Sequence, residues 1–293
     1  MLFYSDLLAE QGRGGSRNAV DVDEEDRASR RPAPAAAAFR SSAAQQPEGS
    51  ASSADVLLVG LGTGASFLRN HVRALGGDEN CGGGVTLAGT ISLAGGSSGA
   101  ATTTTIHSSA TADGANNAAF AFALADAAVP DASAASWARA LFEGALTAAR
   151  PPRRVLVLCD GRHASGGHAL RGLSMLASPG GPPSCCGAAA LRAPHLLQGA
   201  AAAVLTRCHV AGIPAAVAVL GRAPGGVSAG AHLLRYERAL PFLLSEAGAG
   251  GGQDDRRARV LDFFRARGVD LKLGTAAAGE VPRRAVDATA MYS

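Results

Sequence analysis

The stretch Asp55-Val56-Leu57-Leu58-Val59-Gly60-Leu61-Gly62-Thr63-Gly64-Ala65-Ser66-Phe67-Leu68 decides the fold class. Val56 to Val59 is a continuous apolar run, the pattern of a strand buried on both faces rather than one. Gly60 to Gly64 turns the chain tightly. Phe67, Leu68, His71, Val72 and Leu75 then recur at helical spacing until Gly76-Gly77 stops the helix. Strand, glycine turn and helix together open an α/β unit.

Outward from this unit the pattern repeats. Arg154 to Cys159 and Ile213 to Leu220 are two further continuous apolar strands, and Phe120, Phe122 and Leu124 alternate within a strand over Ala118 to Leu124. Val85 to Leu93 reads as a weaker strand. Trp137, Leu141 and Leu146 share one face of a helix over Ala134 to Ala148. Leu196 to Val210 reads as a helix stopped by Gly212, Ala231 to Glu246 as an amphipathic one, and Arg259 to Arg267 as a short one around Leu261, Phe263 and Phe264. Strands alternating with helices predict a single α/β domain with a mostly parallel sheet flanked by helices.

Three segments follow. Residues 1–54 hold an acidic, low-complexity N-terminal tail. Residues 9–54 have almost no large apolar side chain to offset the entropy of ordering, so disorder is expected, with Leu2, Phe3, Leu7 and Leu8 as a short anchor. Residues 55–273 form the α/β domain, with 95–117 read as a loop and 160–193 as a long Gly/Pro/Ser-rich loop insertion. Residues 274–293 are polar and Ala-rich, a flexible tail.

Composition narrows the function classes. The chain has 293 residues with 38 Gly, 4% aromatic and 17% charged residues, and a net charge of +3. Lys272 is the only lysine, and the arginines are scattered in pairs such as Arg153-Arg154 and Arg256-Arg257 without a basic stripe or interleaved aromatics, so no nucleic-acid partner is expected. The five cysteines, Cys81, Cys159, Cys185, Cys186 and Cys208, are odd in number and lack both a disulfide framework and zinc spacing. No run of about 18 apolar residues predicts a membrane span. The first residues lack a basic region and meet Asp6, then Asp21, Asp23, Glu24, Glu25 and Asp26, unlike a transit peptide; a cytoplasmic address, with the nucleus as a second, is expected.

Four patterns bear on chemistry. Gly60-Leu61-Gly62-Thr63-Gly64-Ala65 fits the dinucleotide fingerprint, whose glycines let a pyrophosphate approach a helix N-terminus, but no acid closes the next strand to bind a ribose. The nucleophile-elbow pattern G-x-S-x-G occurs around Ser97 and around Ser228. Ser97 has no helical pattern behind it, Ser228 is separated from its strand by Arg222-Ala223-Pro224-Gly225, and only His232 follows. Cys159 with His163 could form a nucleophile and base, yet Cys159 ends a buried strand, where cysteine packs as a small hydrophobe. Walker A, H-E-x-x-H and EF-hand patterns are missing, and neither cofactor nor metal is expected. Finally, Met291-Tyr292-Ser293 reads as an apolar residue, a tyrosine and a residue with a free carboxylate: apolar area, one hydroxyl and one charge suited to capture in a groove.

Ala202-Ala203-Val204-Leu205-Thr206-Arg207-Cys208-His209-Val210-Ala211-Gly212-Ile213-Pro214-Ala215 resembles a segment of the proteasome assembly chaperone 1 family, in which a helix with an Ala-Ala-Val-Leu core and a Cys leads into an Ile-Pro-Ala strand start. Val155 to Cys159 with Arg162-His163 resembles the family's preceding strand and exit. Cys185-Cys186 falls at its paired cysteine, Asp55 to Phe67 resembles its first strand and helix, and the acidic start and apolar-Tyr-X end match its two ends. The likeness runs over 55–293 with gaps and is weak over 85–150. The resemblance implies a non-catalytic chaperone of 20S proteasome assembly. It would be a heterodimer with proteasome assembly chaperone 2 on the forming α-ring, blocking premature docking or dimerisation, with Met291, Tyr292 and Ser293 entering a pocket between α subunits. The residues leave open a Rossmann-type nucleotide-dependent enzyme using Gly60, Gly62 and Ala65, and a serine hydrolase at Ser97 or Ser228.

Overall fold

The computed structural model describes residues 36–41, 54–72, 85–93, 102–109, 120–145, 151–166, 170, 172–178, 188–223, 228–244 and 252–274. Its centre is built by the continuous apolar runs. β2 (Val56–Leu61) lies between β5 (Phe120–Ala125) and β6 (Arg154–Asp160), and β11 (Ala215–Leu220) lies beyond β6, all four parallel. In each of them nearly every residue is buried, because helices cover both faces.

The side chains sort by strand period. Leu57, Val59, Val155, Val157, Cys159, Val217 and Val219 meet α2 (Ala134–Ala140) and α3 (Gly199–Val210) through Trp137, Leu141, Ala201, Val204 and Cys208. Val56, Leu58, Leu156, Leu158, Ala216 and Ala218 meet α1 (Thr63–His71), the 3-10 helix Leu234–Leu243 and α5 (Gln253–Arg265) through Phe67, Leu68, Tyr236, Leu240, Phe242 and Phe264. The alternation in β5 is of size rather than polarity: Phe120, Phe122 and Leu124 fill the second layer, while Ala121, Ala123 and Ala125 let the first approach closely.

Antiparallel strands flank this parallel centre, giving the order β1-β3-β4-β5-β2-β6-β11-β8-β9. β3 (Val85–Leu93) and β4 (Thr102–Ser109) form a wing beyond β5, and β1 (Ala37–Ser41) is its outer strand. On the other flank β8 (Leu173–Ala177) pairs with β11, and β9 (Ala189–Ala190) pairs with β8. A ribbon of β7 (Ala164–Ser165) and β10 (Leu196–Leu197) stands apart from the main sheet. α4 (Ala229–Leu233) runs directly into the 3-10 helix.

The α/β domain with a sheet flanked by helices is as expected, and its details correct several local readings. The stretch read as a loop over 95–117 contains β4. Its Thr102-Thr103-Thr104-Thr105-Ile106 run is β-branched, a strand former, and Thr104 and Ile106 face the core. Inside the insertion read as a loop over 160–193, β8 extends the sheet. Within the N-terminal segment read as unable to order, Ala37–Ser41 pairs with β3, with Phe39 as the apolar contribution. The helix expected to run to Gly76 ends at His71. There Val72 bridges to Leu271 and the His71 carbonyl accepts from Lys272 N, so the chain is captured in an extended state. The helix expected from Leu196 starts at Gly199, because Leu196–Leu197 is used in the ribbon. Pro241 stands in the helix expected over Ala231 to Glu246, which is mostly 3-10, and Arg154 donates to the Phe242 and Leu244 carbonyls at its end.

Candidate functional site at the strand carboxyl ends

In the sheet order, the connections from β2 lead to β5 on one side and then to β6 on the other. Open α/β sheets hold ligands outside the strand carboxyl ends at such a switch point. The residues gathered there are Gly62 and Thr63 after β2, Asp160, Arg162 and His163 after β6, Tyr236 of the 3-10 helix, and Asp131 facing the start of α3.

Gly62, Thr63, Asp160, Arg162 and Tyr236 of this rim are bonded to one another or to the strand ends. Gly62 takes φ +57°, the left-handed region open to glycine, and its amide donates to the Ala125 carbonyl at 2.9 Å. A Cβ on Gly62 would stand 2.7 Å from Asp160 Oδ2 and 2.9 Å from an Arg162 guanidinium nitrogen. Gly64 is packed so closely on β6 that any side chain would overlap the Leu158 carbonyl, and Gly60 is closed by the Ala65 backbone. The glycines of the fingerprint are therefore consumed by helix-on-strand packing, and the Asp160–Arg162 pair lies against the turn where a pyrophosphate would approach.

Asp160 is the centre of the rim. Its Oδ1 accepts from Arg162 N and Nε, both at 3.0 Å, and its Oδ2 accepts from Arg162 Nη2 at 2.7 Å. The carboxylate thereby caps the 3-10 turn Gly161–His163. Burial pushes this carboxyl up, but the hydrogen bonds and charge of Arg162, with the charge of His163, outweigh it and hold Asp160 below its usual range. Burial pushes the His163 imidazole down. Tyr236 donates to the Cys159 carbonyl at 2.7 Å, so Thr63 Oγ1, 2.9 Å away, is the donor to the phenol oxygen. That pair pins the 3-10 helix to the ends of β2 and β6.

The other sequence candidates resolve individually. Cys159 is fully buried, and burial followed by the Asp160 charge pushes its thiol up, away from the thiolate a nucleophile needs. Ser228 is the N-cap of α4, accepting from Ala231 N at 3.3 Å, and His232 turns inward, with Nε2 on the Gly221 carbonyl at 2.8 Å. Neither arrangement couples a nucleophile to a base. Ser97, Cys185, Cys186, Met291, Tyr292 and Ser293 lie outside the described residues. Among the described residues, no group of three or more His, Cys, Asp and Glu side chains could hold a metal, and no helix is long and apolar enough to cross a membrane.

Sequence reasoning did not single out Asp160 and Tyr236. An Asp-x-Arg immediately after a buried strand is a capping signal and could have marked the first. Nothing local marks Tyr236, whose partner Thr63 lies far away in the chain.

The sequence matches no family model and no curated protein. Solved structures similar to it include Pyrococcus furiosus PbaB, an archaeal proteasome activator, at 11% identity and a TM-score of 0.44, covering 78% of this chain and 98% of that one. They also include Pyrococcus furiosus PbaA, an archaeal homolog of proteasome-assembly chaperone, at 14% identity and a TM-score of 0.41, covering 73% of this chain and 87% of that one. A PAC2 family protein from Streptomyces avermitilis is similar at 16% identity and a TM-score of 0.35, covering 72% and 94%.

Proposed function

We propose that this chain is a non-catalytic chaperone of 20S proteasome assembly. It acts in the cytoplasm or nucleus as a heterodimer with proteasome assembly chaperone 2, promoting α-ring formation and blocking premature docking or dimerisation. Met291, Tyr292 and Ser293 are its docking peptide for a pocket between α subunits.

The observation that carries this reading is the course of residues 202–215. The resemblance to the chaperone family is most specific there and calls for a helix leading into an Ile-Pro-Ala strand start. The chain runs through α3 to Val210, turns at Gly212 with φ +65°, and passes Ile213-Pro214 into β11 at Ala215. Cys208 of that segment is buried between helix and sheet, and burial pushes its thiol up to about 12, a packing role rather than a reactive one. The strand-end rim supports the same reading from the other side. Its turn is filled by Asp160 and Arg162, and its serine and cysteine candidates are caps or core.

The test is purification of the full-length chain with an N-terminal tag from its own cells, beside Tyr292→Ala. Co-purification of α subunits with the wild type, reduced at least tenfold in the variant while the fold is intact by circular dichroism, is expected. Equal recovery from both chains would remove the docking role, and no α subunits with either would remove the chaperone reading.

A further inference from the structure

The chain leaves its last helix along a short strap. α5 ends at Arg265, and Gly268, with φ +74°, reverses the chain: Gly268 N donates to the Arg265 carbonyl and Val269 N to the Phe264 carbonyl, both at 3.0 Å. Val269 and Leu271 are buried against the second core layer, and Leu273 packs on it from the side. Two grips follow along the backbone. At the end of α1, Leu271 bridges to Val72 and Lys272 N donates to the His71 carbonyl at 2.7 Å. At the 3-10 helix, Gly274 N donates to Glu237 Oε1 at 2.6 Å.

Glu237 is placed to make the second grip strong. Its side chain is 14% exposed, and Arg257 Nη2 of α5 stands 3.3 Å from its Oε2. One carboxylate oxygen thus faces the helix that precedes the strap, and the other faces the strap's last amide. An ionised acceptor on a backbone N–H makes the stronger class of hydrogen bond. The approach is close: a Cβ at Gly274 would stand 2.8 and 3.0 Å from the two Leu234 methyls and 3.4 Å from Glu237 Oε1. Residues 269–274 lie in no helix, and their sheet-like pairing is one isolated bridge. A segment with so little ladder opens at a lower free energy than the strands it covers.

We infer that residues 269–274 open as a unit about Gly268 while the sheet stays folded, and that Glu237 is the latch that keeps them shut. Opening moves the root of the following chain from Gly274 back to Gly268. The chain beyond the root then gains the six residues 269–274, about 20 Å of extended reach at ~3.4 Å per residue. That chain ends in Met291-Tyr292-Ser293. Under the proposed function, on which this one consequence rests, the latch sets how far the docking peptide reaches. The latch itself is independent of that reading, since neither Tyr292 nor an α subunit enters it.

The sequence supplies its own probe. Lys272 is the only lysine of the chain and is exposed within the strap, so a lysine-specific protease has one bond to cut, Lys272–Leu273, and needs the strap open to reach it. Cleavage of the full-length wild type is expected to be slow and nearly independent of urea below the unfolding transition, the mark of local opening. Glu237→Ala is expected to be cut at least tenfold faster, with amide exchange in β6 and β11 unchanged. Glu237→Gln, which keeps a neutral acceptor, is expected to fall between. If wild-type cleavage rises with urea as steeply as global unfolding does, the strap is not a separate unit. If Glu237→Ala and Glu237→Gln are both cut at the wild-type rate, Glu237 is not its latch. The urea series on the wild type stands even where Glu237→Ala fails to fold, and Glu237→Gln then reads the latch. No α subunit is present in these measurements, so they succeed or fail apart from the assembly role.

Discussion

β6 is paired on both edges and covered on both faces, whereas β1 is paired on one edge and covered on one face. Around β6 the groups at the strand end close on one another: Asp160 with Arg162, Tyr236 with the Cys159 carbonyl and Thr63, and Gly64 against Leu158. Around β1 the contacts are a five-residue ladder and one face, on which Ala37 and Phe39 pack against the core. Stability within a fold follows such differences: dense burial resists opening, and one-sided edges open first. The strand-end rim, where an enzyme of this architecture would work, is closed by its own groups, and the wing is held from one side.

The sharpest way to break the rim is Gly64→Val, which forces a side chain into the Leu158 carbonyl. A loss of about 3 kcal/mol or more, or no cooperative transition, is expected in urea unfolding. Tyr236→Phe should cost about 1–3 kcal/mol in the same measurement, because it removes the hydroxyl that donates to the buried Cys159 carbonyl and accepts from Thr63. Phe39→Ala should cost less overall than a fully buried Phe, about 1–2 kcal/mol. Its effect should be local: amide exchange should accelerate in β1 and β3 and stay unchanged in β6 and β11.

Asp160→Asn sets a pH signature on the rim. The folded-state carboxyl lies below its unfolded value, about 3.9, so the stabilisation is present above that value and is lost as pH falls through the depressed folded one. Arg162 is 70% exposed, and screening limits the effect to about 1 kcal/mol at neutral pH. Wild type and Asp160→Asn should differ in melting temperature at pH 7 and converge in acid. The smallest expected effect is that of NAD(P) or S-adenosylmethionine: no rise in melting temperature, since the turn at Gly62 is already closed by Asp160. A clear rise would reopen the Rossmann reading.

The core was the most legible part of the sequence. Val56–Val59, Arg154–Cys159 and Ile213–Leu220 are continuous apolar runs, and such runs become strands covered on both faces. β4 was hidden because its strand character lies in four threonines that composition groups with loop residues, although their β-branching and the burial of Thr104 under Trp137, whose indole donates to it at 2.9 Å, are what hold it. β8 and β1 were hidden because each is a short segment inside Gly-, Ser- or Ala-rich surroundings and gains its pairing from a distant partner. At the site, the glycine turn was legible as geometry. Whether it was open was not, because the residues that close it come from the end of another strand.

The most direct measurement of the central claim is recovery of proteasome α subunits by the N-terminally tagged full-length chain, with Tyr292→Ala beside it. Expected is an α-subunit set with a second α/β subunit bound to the wild type and a strong loss from the variant. A wild type that purifies without α subunits would contradict the assembly role.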